Sequence, residues 1–180
     1  KIQSKDVKSD VYFHKRAHSW SWATWKDRWS EEIFDKQKLS KELTKEILES
    51  FKVNCGDDIS EMLLNSIDGI NDSWYVRWAF NHFKNRRHAV YPYFSKVENI
   101  GFSIEGTNCK GIDVSVCEID VLHKNNFNFI DLTLNTKINE EFLTYFSKLY
   151  KIKFRIKLLK STKGRQSLFF EIKRFFFNGK

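Results

Sequence analysis

The chain has a single proline, Pro92, and only seven glycines in 180 residues, so no Pro- or Gly-rich stretch marks a linker between independent domains. Its three cysteines, Cys55, Cys109 and Cys117, are odd in number and widely spaced, with no C-x-x-C pair. That argues against a zinc site or a disulfide framework and fits a reducing compartment. No apolar run approaches the roughly 18 residues of a membrane span. The opening "KIQSKDVKSD" has neither a Met nor a secretory apolar stretch, so it shows no targeting signal and reads as processed or cut from something longer. What is present, 41% hydrophobic and 30% charged residues, suffices for one globular domain with or without an appendage.

Charge is unevenly distributed. The segment from Lys148 to the end holds eleven Lys and Arg against one acid, Glu171, for a net charge of +10. The 147 residues before it carry 20 cations and 22 acids, a net charge of −2. The basicity therefore belongs to the tail, which is suited to a polyanion: acidic lipid headgroups or nucleic acid.

Hydrophobic periodicity predicts a short strand at 11–14 ("VYFH") and a helix over about 30–51, carried by Ile33, Leu39, Leu43, Ile47 and Leu48. A short helix follows through "ISEMLLNSI", with Asp57 or Asp58 as cap and Gly69 as terminator. A third runs over "YVRWAFNHFKN", capped by Asp72 or Ser73. "HAVYPYFSKVENIGF" reads as extended chain with Pro92 at an edge or bend, and "IDVSVCEIDVL" alternates like a strand. "INEEFLTYFSKLY" reads as a helix. "YKIKFRIKLLK" fits a strand with one basic face and equally a continued helix, and "SLFFEIKRFFF" leaves the same choice.

The densest feature is "HSWSWATWKDRW", residues 18–29, with four tryptophans in twelve positions. On extended chain Trp20 and Trp22 share a side; if a helix starts near Thr24, Trp25 and Trp29 share a face. Indoles of this size most often anchor a core, yet their flat faces also stack on sugar rings or bases. The stretch closely resembles the W-G-W-A-T-W-K-x-x-W signature of bacterial nucleotide-sugar transferases of the GT-A type, enzymes of surface polysaccharide assembly. Two further blocks follow in order. Asp72-Ser73-Trp74-Tyr75-Val76-Arg77-Trp78 resembles that group's D-S-W-A-I-R-W stretch, and "YPYFSKVENIGFSIEGTNCKG", Tyr91 to Gly111, resembles its Y-P-x-x-S-L-V-x-N-I-G-F-D-G-S-G-T-H-C-G segment. Ser21 stands where the group has Gly, and Asn108 where it has His.

The resemblance implies an α/β fold, the C-terminal portion of a GT-A-like transferase with a basic extension. Residues 1–115 would be the acceptor side and 116–180 the extension. The group's nucleotide-binding unit, with the acidic motif that holds a divalent Mn or Mg ion, has no counterpart upstream of Val11, so the metal ligands are expected outside this chain. Transfer by the chain alone is not expected. Inverting transfer needs a carboxylate to take the acceptor hydroxyl's proton. Asp72, heading the second block, is the candidate base; as a plain N-cap it would contribute about 1 kcal/mol. Asp27 is the rival, and could equally be an exposed partner of Arg28 or Lys26. Trp20, Trp22, Trp25, Trp74 and Arg77 are candidate substrate contacts, with Arg77 able to clamp a phosphate or stack on a ring. Thr107 and Asn108, beside Glu105, lie on a glycine-punctuated loop that could close over the site. His82 and His88 show no metal-ligand pattern.

The expected partners are a nucleotide-sugar donor, a saccharide or lipid-linked saccharide acceptor, and an anionic membrane surface met by residues 148–180. A cytoplasmic location, peripheral on the inner face of a bacterial plasma membrane, follows from that reading. Two alternatives stand beside it. One is a nucleic-acid-binding module, which the near-neutral body disfavours; the other is a non-catalytic membrane-associated remnant of the transferase.

Overall fold

The computed structural model describes residues 9–98, 119–122, 125–129 and 133–177, residues 174–177 as backbone only. It is mixed: among the described residues there are seven α-helices and one small two-stranded sheet. The principal core forms where α2 (Lys45–Cys55), α3 (Ile59–Ile67) and α4 (Trp74–Lys84) pack together. Phe51, Cys55, Ile59, Leu63, Val76, Ala79 and Phe80 are buried there, with Leu39 closing the side. These residues recur three or four apart along each helix, so each helix presents an apolar stripe to the others. Phe51 meets Phe80 edge to face, with ring centroids 5.4 Å apart.

The helix expected over 30–51 is instead three pieces. A 3-10 turn covers Glu31–Phe34, then come α1 (Lys36–Glu42) and α2. The interruptions are caps. The Asp35 carboxylate accepts from the Lys38 amide at 2.9 Å, and Thr44 Oγ1 accepts from the Ile47 amide at 3.3 Å. Each side chain satisfies a new helix start, which a continuous helix would leave no role for. Asp58 stands at the cap position of α3 but makes no cap bond; its carboxylate is drawn instead to Arg16.

β1 (Val11–His14) pairs antiparallel with β2 (Ala89–Pro92), Val11 opposite Pro92 and His14 opposite Ala89. Pro92, lacking an N–H, falls on the last residue of β2, where the ladder ends. Just past β1, Arg16 runs into the protein with a side chain only 3% exposed. Its guanidinium donates to the Cys55 carbonyl at 2.8 Å, to Asp58 Oδ1 at 2.7 Å and to the Tyr75 hydroxyl at 3.2 Å, and lies 3.8 Å from the centre of the Phe146 ring. One side chain thus joins the sheet, α2, α3, α4 and the C-terminal helices. Gly56 makes this possible. It has φ 116, and a Cβ there would fall 2.8 Å from Arg16 Nη1 and 2.8 Å from Phe146 Cβ.

α5 (Thr136–Thr144) crosses β1, laying Phe142 on the buried His14 ring with centroids 3.9 Å apart. The region beyond residue 115 therefore shares packing with the N-terminal strand. The ambiguous "YKIKFRIKLLK" is helical: α6 (Lys148–Leu158) starts at Ser147, whose Oγ accepts from the Tyr150 amide at 3.1 Å. α7 (Thr162–Phe177) folds back along it, tied by Arg155 Nη2 to Glu171 Oε1 at 2.5 Å. "IDVSVCEIDVL" lies largely outside the described residues; Ile119 within it makes a parallel bridge to Ser95. Among the described residues, no helix is long and apolar enough to cross a membrane.

His14 Nδ1 accepts from the Arg16 amide at 2.8 Å, so the ring serves as an uncharged acceptor. Burial, aided by the nearby Arg16 charge, pushes its pKa down to about 3, and burial does the same for His18. A base held neutral by folding binds fewer protons folded than unfolded. Its stabilisation is complete above about pH 6.5 and is lost as pH falls toward the folded value. The unfolding free energy measured in urea should therefore drop steadily on acidification below pH 6.5, by about 1.4 kcal/mol per pH unit for each such histidine. His14→Asn, whose Oδ1 can take the place of Nδ1, should flatten that slope by one group; an unchanged slope would show that His14 is not held neutral.

Candidate functional site

Four tryptophans from two distant segments meet on one face. Trp22 lies 5.8 Å from Trp29, 5.6 Å from Trp74 and 5.5 Å from Trp78, and Trp29 lies 5.3 Å from Trp78. Trp78, 3% exposed, is the base of the stack, packed with Ala17 and Ile33. Trp22, Trp29 and Trp74 are half-buried and form the floor of an open groove of about 570 Å³, whose rim is completed by Phe34, Lys36, Asp72 and Arg77. α4 places Trp74 and Trp78 one turn apart on one face, and the 3-10 turn after Ser30 and the start of α1 bring Phe34 and Lys36 to the groove.

The groove's charge is built in layers. Arg77 is buried beneath the indoles, its Nε donating to the Ile33 carbonyl at 2.9 Å and its Nη1 to Ser66 Oγ at 2.6 Å. Ser66 Oγ in turn donates to the Ser73 carbonyl at 3.1 Å. The guanidinium therefore fastens α4 to α3 and to the 3-10 turn. Its Nη1 also reaches outward to Asp72 Oδ1, at 3.4 Å. Lys36 Nζ approaches the same oxygen at 3.6 Å. Asp72 itself is 86% exposed, a carboxylate at the groove's edge held between two cations. Such a group can accept a proton or a hydroxyl hydrogen bond from a bound ligand while the indole faces take up its apolar side. Its place ahead of α4 leaves capping to others: Ser73 is the N-cap residue, without a side-chain cap bond, and Asn71 Oδ1 accepts from the Ser73 amide at 3.1 Å.

Of the sequence candidates, Trp22, Trp74, Arg77 and Asp72 come together in this groove. Trp20 and Trp25 do not. Trp20 is 45% exposed beside His18, and Trp25 is 74% exposed at the start of the 3-10 turn Lys26–Arg28. Trp25 and Trp29 thus do not share a helical face, because the helix expected from Thr24 is a single 3-10 turn with extended residues on both sides. Nor do Trp20 and Trp22 share a side. Ser21, between them, has φ 44, a left-handed conformation that swings the chain and sends one ring outward and the other into the stack. Asp27 pairs with Arg28 at 3.0 Å, both exposed and outside the groove. Thr107, Asn108 and Glu105 lie outside the described residues.

Trp29, Phe34 and Lys36 line the groove without having been singled out. Trp29 stood in the tryptophan stretch with no feature to distinguish it, and Phe34 and Lys36 arrive only through the Asp35 break, which periodicity does not reveal. His82 is buried against Trp78 and pushed down to about 4 by desolvation. Among the described residues, no group of three or more His, Cys, Asp or Glu could hold a metal ion.

No known family, no curated protein and no solved structure matches the chain.

The left-handed turn offers a direct check on the site's construction. A serine at positive φ costs about 1 kcal/mol that glycine does not incur. Ser21→Gly should raise the unfolding free energy measured in urea, by up to about 0.6 kcal/mol once glycine's greater unfolded freedom is subtracted, with tryptophan fluorescence unchanged. Destabilisation would show that the turn is not left-handed in solution.

Proposed function

We propose that the chain is the acceptor-side portion of a nucleotide-sugar-dependent glycosyltransferase of the GT-A type, and that the tryptophan groove receives a saccharide. The observation that carries this reading is the convergence of Trp22 and Trp29 with Asp72, Trp74 and Arg77, because two of the blocks that resemble transferase signatures, more than forty residues apart, build one groove. In the proposed reaction the half-buried indoles stack on the C–H face of the acceptor sugar, and Asp72 takes the proton from the attacking hydroxyl as the nucleotide diphosphate leaves the opposite face. Lys36 and Arg77 position that carboxylate. Arg77 is a structural anchor here rather than a phosphate clamp, since its Nε and Nη1 are engaged by Ile33, Ser66 and Asp72 and its side chain is buried. The divalent Mn or Mg ion belongs to the nucleotide-binding unit in this reading, and no step involves it here.

Membrane contact through α6 and α7 completes the proposal. Leu149, Ile152, Ile156 and Leu159 of the α6 region are 61%, 55%, 55% and 54% exposed, a stripe interleaved with exposed Lys153, Lys157 and Lys160. An exposed aliphatic stripe edged by lysines suits the headgroup region of an anionic bilayer. The tail's one acid, Glu171, is paired with Arg155 and so cancels that charge rather than those of the stripe's lysines.

Two experiments follow. On a glycan array the chain should bind a restricted set of saccharides, and Trp74→Ala should lower the affinity at least tenfold; Asp72→Asn should leave binding within severalfold while abolishing transfer in the enzyme that contains the nucleotide-binding unit. Full turnover by Asp72→Asn would remove it as the base. In sedimentation with vesicles, the chain should pellet with phosphatidylglycerol-containing vesicles but not with phosphatidylcholine alone, and Ile152→Asp with Ile156→Asp should release it. Equal pelleting of that double variant would refute the helical docking surface.

A further inference from the structure

We propose that a second groove, lined by none of the tryptophans, binds a phosphoryl group carried on an apolar body. The groove, about 880 Å³, runs between α2, the end of α4 and the turn that leads into β2. Its floor is apolar, formed by Ile47, Phe80 and Phe83. Its rim brings together Lys15, Lys84, Arg86 and Arg87 with His88, against one acid, Glu42.

The bonding of these cations decides what the rim attracts. Lys84 is paired with Glu42 at 2.6 Å. Lys15 Nζ donates to the Asn54 side-chain oxygen at 2.5 Å, and Arg87 Nη1 to the Arg28 carbonyl at 2.8 Å. Both acceptors are neutral: they orient the cations without cancelling their charge. Arg86 is exposed, in a turn held at φ 53. The rim therefore carries a net +3, in a body whose 147 residues sum to −2. Positive charge this concentrated on a negative background is a focused potential, not an average surface. The neighbouring His88 registers it, for burial and the Lys15 charge lower its pKa. Guanidinium and ammonium donors arranged around an open space suit the oxygens of a phosphate or diphosphate. The phenylalanine floor suits an attached apolar group, and the volume is that of a small-molecule site.

The proposal is independent of the transferase reading, since it concerns different residues and needs no transfer. Its test uses the whole chain, isothermal titration and the His88 ring signals in NMR. Inorganic pyrophosphate should bind and shift the His88 resonances toward the protonated form. Geranyl diphosphate, with an apolar body, should bind about tenfold more tightly, and Phe83→Ala should erase that gain; uridine diphosphate in its place as the tighter ligand would assign the floor to a nucleoside and overturn the apolar-body assignment. Arg86→Asn removes one charge while favouring the left-handed turn, so it should fold normally and weaken pyrophosphate about tenfold. Arg87→Gln should do likewise. Lys153→Gln with Lys157→Gln, on the basic tail, should change the affinity less than twofold. Absence of binding, binding indifferent to Arg86 and Arg87, or binding lost in the tail variant would each overturn the site.

Discussion

The structure depends on a buried guanidinium. Arg16 is taken out of water at the end of a four-residue strand, and a charge so placed would be costly without compensation. Compensation comes from four directions: Asp58, the Cys55 carbonyl, the Tyr75 hydroxyl and the face of Phe146. Each partner belongs to a different part of the chain, so satisfying one charge fixes the relative placement of β1, the α2–α3 junction, α4 and the segment after α5. Tyr91 adds a further tie by donating its hydroxyl to the Arg16 carbonyl at 2.7 Å. The two-stranded sheet, which is too small to stand alone, is held by this centre together with Phe142 and the bonds between Asp10 and Asn128.

The two buried arginines divide the molecule between them. Arg16 organises the side on which aromatic rings gather around His18, where Tyr75, Tyr91, Phe142 and Phe146 all lie within 6.1 Å of its centroid. Arg77 organises the side on which the tryptophans stack. Both are bound by neutral oxygens, with one carboxylate apiece, Asp58 and Asp72. The difference lies in exposure. Asp58 is mostly covered, at 24%, whereas Asp72 is open at 86%. The same design is thus sealed at one place and accessible at the other, which is why the groove over Arg77, and not the cluster over Arg16, is the candidate site.

Much of the local structure was legible because it rests on short-range rules. β1, α3 and α4 follow from apolar spacing, and Pro92 at the end of β2 follows from its missing donor; the helix expected over 138–150 is instead the end of α5 and the start of α6, parted at Tyr145–Ser147, where Ser147 caps the second. The break between α1 and α2 was not legible, since Asp35 and Thr44 are unremarkable in an amphipathic pattern until their side chains are seen to cap. The α6 segment was ambiguous because alternate residues KIKFRIK satisfy both periods; the Ser147 cap and the Arg155–Glu171 tie select the helix. In the site, Trp22, Trp74, Arg77 and Asp72 could be named from their blocks, but their roles could not. Arg77 and Asp72 differ by five positions and by nearly the full range of exposure, a contrast set by α4's contact with α3. Arg16 left no sequence signal at all: an arginine following a strand is ordinarily a surface residue.

The left-handed glycine at the end of α2 has a consequence for how this chain can change. Position 56 is closed to any side chain by the same atoms that compensate the buried charge, so the two positions, forty apart, form a single unit of inheritance. A side chain at 56 would meet Arg16, Phe146 and Asp58 at once on a positive-φ backbone, so shortening residue 16 alone does not open the position, and a shortened residue 16 leaves Asp58, Tyr75 and Phe146 without the centre they surround. Neither step is accessible first. Drift that freely reshapes the helical tail would therefore leave this pair standing, and a distant relative should be sought through an arginine just after a first strand and a glycine just after the second long helix, ahead of any tryptophan.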